Sequence, residues 1–339
     1  MTNVSGSAAI AVVTADAVVF FTDSRYETAV RAMQTSAARC PSLRLHIVQG
    51  AYDAALAAFL SAAPLGRVGF EAEHLSVARW QWLTRAMPEG VALTAVERIV
   101  EAERIVKDEY EIATLRDAGK RLSAVARRLP DFVRAGMTEL AVASRIDAEL
   151  RAEGFSRPAF ETIVASGEHS ALPHARPSGR TIGEGDLVVL DFGGVYDSYC
   201  VDLTRMGVVG RPTKRVREVY DAVLRAHDRA IAAVAPAASK FDIDQAARDV
   251  LTAAGMGDAF GHGTGHGLGI EVHEDPRITR RRPDVDGRDE CVAAGMVFTI
   301  EPGAYFPGWG GVRIEDDVLV TETGAERLTD ASTELFEID

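Results

Sequence analysis

Cysteine is scarce in this chain of 339 residues: there are three, Cys40, Cys200 and Cys291, far apart in sequence. That spacing excludes a dense disulfide framework and a thiolate metal knuckle, and a reducing, cytoplasmic setting is the simplest reading. Positive charge is also short, with 37 Lys and Arg against 50 Asp and Glu and a formal net charge of −13. A chain of that sign does not bind nucleic acid through bulk electrostatics. Long hydrophobic runs are missing: the apolar stretches are short and broken by charge, which excludes a membrane-spanning helix. The opening "MTNVSGSAAIAVV" has no basic start of the kind a secretory signal carries. Histidine is rare too, eight in all, yet three fall in "GHGTGHGLGIEVHE", Gly261 to Glu274, beside five glycines.

What is present is an ordinary soluble composition, 47% hydrophobic and 26% charged, long enough for two domains. The first hundred residues alternate between strand and helix patterns. Two short strands flank a turn at Thr14 to Asp16, a helix starts near Asp23, and "LRLHIVQG", "AYDAALAAFLSAA" and "RVGFEAEHLS" continue the alternation as a small α/β unit. A charged stretch then holds a junction near Lys107 and a long amphipathic helix. "TELAVASRIDAELRAEG" opens on a Thr–Glu capping pattern and ends on glycine. Strands follow ("FETIVASG", "DLVVLDFGGVY", "SYCVDLTRMGVV"), then helices near Thr213 to Val234 and Asp242 to Ala254. Strands return in "GIEVHE", "MVFTIEPGAYF" and "GVRIEDDVLVTE". Helices then strands, twice over, predict an internal pseudo-repeat in an α+β domain.

Five acidic or imidazole positions stand at strand ends or beside glycine. Asp191 closes "LVVL" and precedes "FGG", and Asp202 lies eleven residues later in "YCVDLTR". His266 sits in the glycine-rich segment, Glu301 ends "MVFTI" before Pro302 and Gly303, and Glu315 sits in "VRIEDD". A carboxylate at the inner end of an apolar strand is costly to bury unless a cation or hydrogen bonds compensate. Any one of these acids alone reads as a strand-end surface residue, and histidines in a glycine-rich loop can be structural. Asp-Phe-Gly also occurs as the magnesium-binding triplet of protein kinases, but no glycine-rich ATP loop accompanies it here. Four such carboxylates together would repel one another, and a pair of divalent metals is the economical way to hold them.

With those residues in place the chain resembles the pita-bread metallopeptidases, which include aminopeptidase P, prolidase (Xaa-Pro dipeptidase), methionine aminopeptidase and the metal-free creatinase. The resemblance runs from about Ala17 to the C-terminus and is carried by "TIVASGEHSALPH", "DFGGVYDSYCVDLTR", "GHGTGHGLGIEVHE", "TIEPGAY" and "GVRIEDD". It implies an α+β fold: a creatinase-like N-terminal α/β domain over residues 1–106, shortened at its start, and a catalytic pita-bread domain over 107–339. It implies a metal ligand set of Asp191, Asp202, His266, Glu301 and Glu315. In that set Asp191 chelates one ion, His266 and Glu301 the other, and Asp202 and Glu315 bridge. His174, His273 and Arg313 match the family's supporting and substrate-contacting positions, and His262 lines the cavity. The glycines let backbone pass close to metal and substrate.

Oxygen-rich ligation with one imidazole favours harder ions, manganese first and cobalt or zinc after it. A divalent pair can share one water and lower its pKa toward neutrality. Glu301 would then take the water's proton and deliver it to the leaving nitrogen, His273 would stabilise the oxyanion, and His174 would position the substrate. The motif forms favour the proline-directed branch, so the expected substrate is a small peptide with proline second. That scissile bond has no N–H, which calls for a dedicated enzyme. The short chain favours the Xaa-Pro dipeptidase, with the Xaa-Pro aminopeptidase as alternative and a non-catalytic pseudo-peptidase binding module as remote alternative. A dipeptidase must read a free carboxylate after proline, and Arg277, Arg280, Arg281 and Arg282 are the candidates, because an arginine fork matches two oxygens. The family's N-domain also implies a homodimer.

Overall fold

The computed structural model describes residues 4, 6–36, 39–63, 65–281 and 290–339. The chain divides into two compact units, Met1–Ile99 and Val100–Asp339.

The first unit is built from β1 (Ile10–Val13), β2 (Val18–Thr22), α1 (Ser24–Gln34), β3 (Leu43–Ile47), α2 (Tyr52–Ala62), β4 (Arg67–Glu71), α3 (Val77–Ala86) and β5 (Ala92–Val96). The Asp23 side chain caps α1 by accepting the Arg25 N–H, which fixes the helix start where the sequence placed it. β1 pairs antiparallel with β2, while β2 with β3 and β4 with β5 are parallel. Parallel neighbours need a crossover, and α1 and α3 supply it. Phe21, Leu60 and Leu83 anchor the core of this unit.

A short helix, α4 (Ile99–Arg104), spans the division. The second unit then runs α5 (Glu109–Phe132), α6 (Glu139–Ala152), β6 (Arg157–Pro158), β7 (Ile163–Ser166), β8 (Leu187–Tyr196) and β9 (Tyr199–Val209). It repeats the order with α7 (Lys214–Ala232), α8 (Lys240–Ala253), β10 (Gly265–Gly267), β11 (Glu274–Ile278) and β12 (Val297–Ile300). β13 (Gly303–Phe306), β14 (Gly310–Arg313), β15 (Asp316–Val320), β16 (Ala325–Arg327) and β17 (Phe336–Ile338) complete it. The architecture is α+β.

α5 starts on a capping box between Asp108 and Glu111 and buries Leu115, Leu122, Val125 and Leu129 along one stripe. One sheet has the order β17-β9-β8-β6, with β7 also on β8; the other has the order β11-β10-β12-β15-β16. The longest pairing is the β8–β9 hairpin. Its two turn residues, Asp197 and Ser198, have φ of 45° and 73°, the signs a tight I′ hairpin turn requires. One strand expectation fails. "GIEVHE" is no strand before Glu274: the Gly269 N–H turns back to the Glu271 carbonyl at 3.0 Å, and the Gly269 carbonyl accepts the Cys200 N–H at 2.6 Å. Those bonds, one local and one to β9, occupy groups that a ladder would have used. Among the described residues no helix is long and apolar enough to cross a membrane.

Candidate active site

The β8–β9 register pairs Asp191 with Thr204 and Gly193 with Asp202. Asp191 and Asp202 therefore stand diagonally, two positions apart, on one face of the hairpin. Both carboxylates are buried, and Oδ1 of each has no hydrogen-bond partner among the described residues. His266 comes from β10, which is pressed between β11 and β12. A Cβ at Gly265 would overlap the Thr299 carbonyl, and one at Gly267 the Asp275 carbonyl. The glycines flanking His266 are thus demanded by close backbone approach. Glu301 follows β12, its N–H held by the Thr264 carbonyl at 2.7 Å. Glu315 sits between β14 and β15, and its Oε2 accepts the Thr204 hydroxyl at 2.6 Å. His266 Nε2 lies 3.7 Å from Glu301 Oε1 and 4.0 Å from Asp202 Oδ2. Ligand atoms of Asp202, His266 and Glu315 all fall within 4.8 Å of one another.

Burial, then mutual repulsion, raises the pKa of this acid cluster. Asp202 and Glu301 are driven well above the carboxylate range, first by desolvation and next by Glu315. Glu315 is pushed up to about 8 by desolvation and then by Asp191. His266 is pushed down to about 3 by burial and then by His273, so its imidazole is neutral and free to ligate. Among the described residues Arg313 is the cation that contacts the cluster directly, and it donates Nη2 to Asp191 Oδ2. Its other donors go to the Thr204 hydroxyl (3.2 Å), the Tyr305 hydroxyl (3.0 Å) and the Pro173 carbonyl (3.2 Å). One guanidinium does not balance four carboxylates. The unpartnered Oδ1 atoms of Asp191 and Asp202 and the donor set of four carboxylates and one neutral imidazole fit hard divalent cations.

The cluster opens into a cavity of about 580 Å³ that His174, His262, His273, Arg277 and Arg313 also line. Residues 113–322 match the model of metallopeptidase family M24, and residues 1–106 match the creatinase/prolidase N-terminal domain. The chain belongs to metallopeptidase family M24. It is 36% identical over 338 residues to an uncharacterized peptidase of Bacillus subtilis, covering 99% of this chain and 92% of that one. It is 42% identical over 242 residues to the Xaa-Pro dipeptidase of Pyrococcus furiosus, covering 71% of this chain and 68% of that one. Among solved structures, the Xaa-Pro dipeptidase from Bacillus anthracis superposes with a TM-score of 0.93 at 33% identity, covering 100% of this chain and 91% of the other. The X-Pro aminopeptidase from Thermotoga maritima gives 0.88 at 33% identity, covering 98% and 91%.

In this M24 peptidase the histidines around the cavity are held by specific partners. The His273 ring packs edge-on to His266 with centroids 4.4 Å apart, and burial followed by the Arg277 charge lowers its pKa. His262 faces the Tyr305 hydroxyl through Nε2 at 3.0 Å and is pushed down to about 4, chiefly by burial. Of the three candidate arginines among the described residues, Arg277 alone lines the cavity. Arg280 instead donates to the Phe260 carbonyl at 2.9 Å, and Arg281 lies 4.7 Å over the Phe241 ring. Arg282 lies outside the described residues.

Sequence reasoning passed over three neighbours of the site. Thr204 is two residues from Asp202 on the same strand, so the alternation of β9 could have found it. Tyr305 closes the quoted "TIEPGAY" and bridges His262 to Arg313. Asp317, fully buried, accepts the Asp202 N–H at 3.0 Å, which orients that strand from behind.

Proposed function

We propose that this M24 peptidase hydrolyses the Xaa-Pro bond of dipeptides with two divalent ions, held by Asp191, Asp202, His266, Glu301 and Glu315. The observation that carries the reading is the acid cluster, with its unpartnered buried oxygens, opening into a cavity whose lining includes His273 and three arginines, Arg176, Arg277 and Arg313, the last of them already engaged with Asp191. In this reading Asp202 and Glu315 would help to hold both ions, and manganese is the first choice, with cobalt or zinc as substitutes. Bound there, the ions would supply Lewis acidity and make the attacking water acidic enough to lose its proton near neutrality.

The chain's own groups do the rest. Glu301, beside His266, takes the water's proton and passes it to the leaving proline nitrogen. His273 donates to the carbonyl oxygen as it gains charge. His174, which also lines the cavity, orients the peptide. Arg313 neutralises Asp191 and holds it at one rotamer, with Tyr305 and Thr204 as struts. Arg277 pairs with the free carboxylate of proline. His262 forms the wall nearest Tyr305.

The Pyrococcus furiosus relative and the Bacillus anthracis structure, both Xaa-Pro dipeptidases, support this specificity. The Thermotoga maritima structure, an X-Pro aminopeptidase, supports the second reading, action on longer peptides. Rates on Ala-Pro, Ala-Pro-Ala and Ala-Ala with manganese separate the two. The dipeptidase cleaves Ala-Pro fastest and leaves Ala-Ala intact, whereas equal rates on Ala-Pro and Ala-Pro-Ala refute it.

We also keep the domain junction at 106/107. The match of residues 1–106 to the creatinase/prolidase N-terminal domain supports it. A cytoplasmic homodimer completes the proposal. The free state of all three cysteines supports the compartment, and sedimentation of the purified protein tests the dimer.

A further inference from the structure

One buried ion pair lies behind the site rather than in it. Asp244 and Arg248 stand one turn apart on α8, and neither lines the cavity. The Asp244 carboxylate accepts Arg248 Nε at 2.6 Å on Oδ2. Its Oδ1 accepts Arg248 Nη2 at 3.0 Å, the Thr264 N–H at 3.0 Å and the Thr264 hydroxyl at 2.8 Å. Arg248 in turn donates to the Phe260 carbonyl at 3.1 Å and to the His262 carbonyl, and its guanidinium lies 4.2 Å from the Phe260 ring centroid. The pair thus grips residues 260, 262 and 264, every second residue of the segment that ends in His266. Thr264 extends the grip, because its carbonyl takes the Glu301 N–H at 2.7 Å.

Buried ion pairs are poor devices for stability, since desolvation offsets their attraction. This one fastens the backbone leading to two proposed ligands of one ion. We infer that Asp244 and Arg248 are positioning residues for the His266–Glu301 half of the metal centre, setting imidazole and carboxylate at the spacing one ion needs. The inference rests on the two-ion reading. Groups that orient metal ligands change metal affinity by about 10- to 100-fold when lost.

Manganese titration by calorimetry tests it, at a temperature where circular dichroism shows each variant folded. Two ions on the wild-type chain support the two-ion reading; one ion refutes that reading alone, and the comparison below is then made on that ion. Asp244→Asn should weaken one ion by about 10- to 100-fold and leave the other within about two-fold. A His266→Ala reference marks the step that belongs to this half. In the His266→Ala background, where the weakened step is already lost, Asp244→Asn should leave the remaining ion within about two-fold, so that the two losses do not add. If Asp244→Asn does not fold, Thr264→Val, which removes one hydrogen bond, replaces it throughout, with one ion weakened about two- to ten-fold. Unchanged affinities in a folded variant of lower melting temperature would overturn the inference, as would equal weakening of both ions or a further loss in the His266→Ala background.

Discussion

Glu301 is asked to bind an ion and to carry a proton, and these duties separate experimentally. Glu301→Gln keeps the shape and an oxygen donor but cannot accept the proton. It should lower kcat by about 10²–10⁴, the range of general acid–base catalysis. Stopped assays with metal content measured in parallel check this; a smaller loss with metal retained would place the proton elsewhere. Arg277 makes the second prediction at this scale. Arg277→Ala should raise KM for Ala-Pro about ten-fold or more, as loss of a charge-assisted bond worth ~1.5–3 kcal/mol implies, while Ala-Pro-Ala is relatively spared. A uniform loss on both peptides would remove Arg277 from carboxylate recognition. The charged residues of this site were legible because acids at apolar strand ends violate burial rules unless something compensates. Tyr305 was not, because a hydroxyl breaks no such rule and shows its role only once its neighbours are in place; Thr204 lay within reach of the β9 alternation, two residues from Asp202, but its hydroxyl alone marks no role. The choice among the arginines was equally closed to sequence: Arg277 and Arg280 differ in which carbonyl or cavity they reach, not in chemistry.

α6 begins with a buried carboxylate, Glu139, at a position helices usually leave to solvent. Glu139 accepts the Ser166 N–H and hydroxyl, each at 2.8 Å, and the Ser178 N–H and hydroxyl at 3.1 and 2.6 Å. His169 Nδ1 adds a contact at 3.2 Å. One side chain thereby ties both ends of the segment that carries His174. Burial alone raises its pKa, but the hydrogen bonds from Ser178 and Ser166, with His169, outweigh that and hold it below the ordinary 4.5. A folded pKa below the unfolded one means stability that is present above about pH 4.5 and lost as pH falls through the folded value. Glu139→Gln turns an amide NH₂ toward these donors and should cost about 1–3 kcal/mol at pH 7. The gap in melting temperature between wild type and variant should narrow below pH 4.5; a gap of constant width would contradict this linkage. Elements with clear periodicity or caps, such as α1, α5 and the β8–β9 hairpin, were readable from sequence. The misread "GIEVHE" has strand-like alternation, but Glu274 is drawn to Arg104 and to Lys107, and turn bonds at Gly269 occupy the backbone. Such long-range partners leave no mark on local pattern.

At the scale of the whole molecule, the second unit gathers Asp191, Asp202 and His266 from within strands, and Glu301 and Glu315 from strand junctions, into one cavity, in a chain whose net charge is already −13. Divalent cations, which a chain of metallopeptidase family M24 calls for, fit those acids and would offset their repulsion. The change from α/β alternation to paired helices and strands was visible in sequence, and so were the five acidic and imidazole residues that meet at the cavity; the grip of α8 on the His266 segment was not, because Asp244 and Arg248 read as an ordinary helical ion pair. The direct measurement is hydrolysis of Ala-Pro by the full chain after exhaustive chelation, followed by stepwise return of manganese. The stripped protein should be inactive, and activity should rise to a plateau at about two ions per chain, the dinuclear arrangement. Full activity in the stripped protein, or no Ala-Pro cleavage at any manganese content, would contradict a metal-dependent Xaa-Pro peptidase.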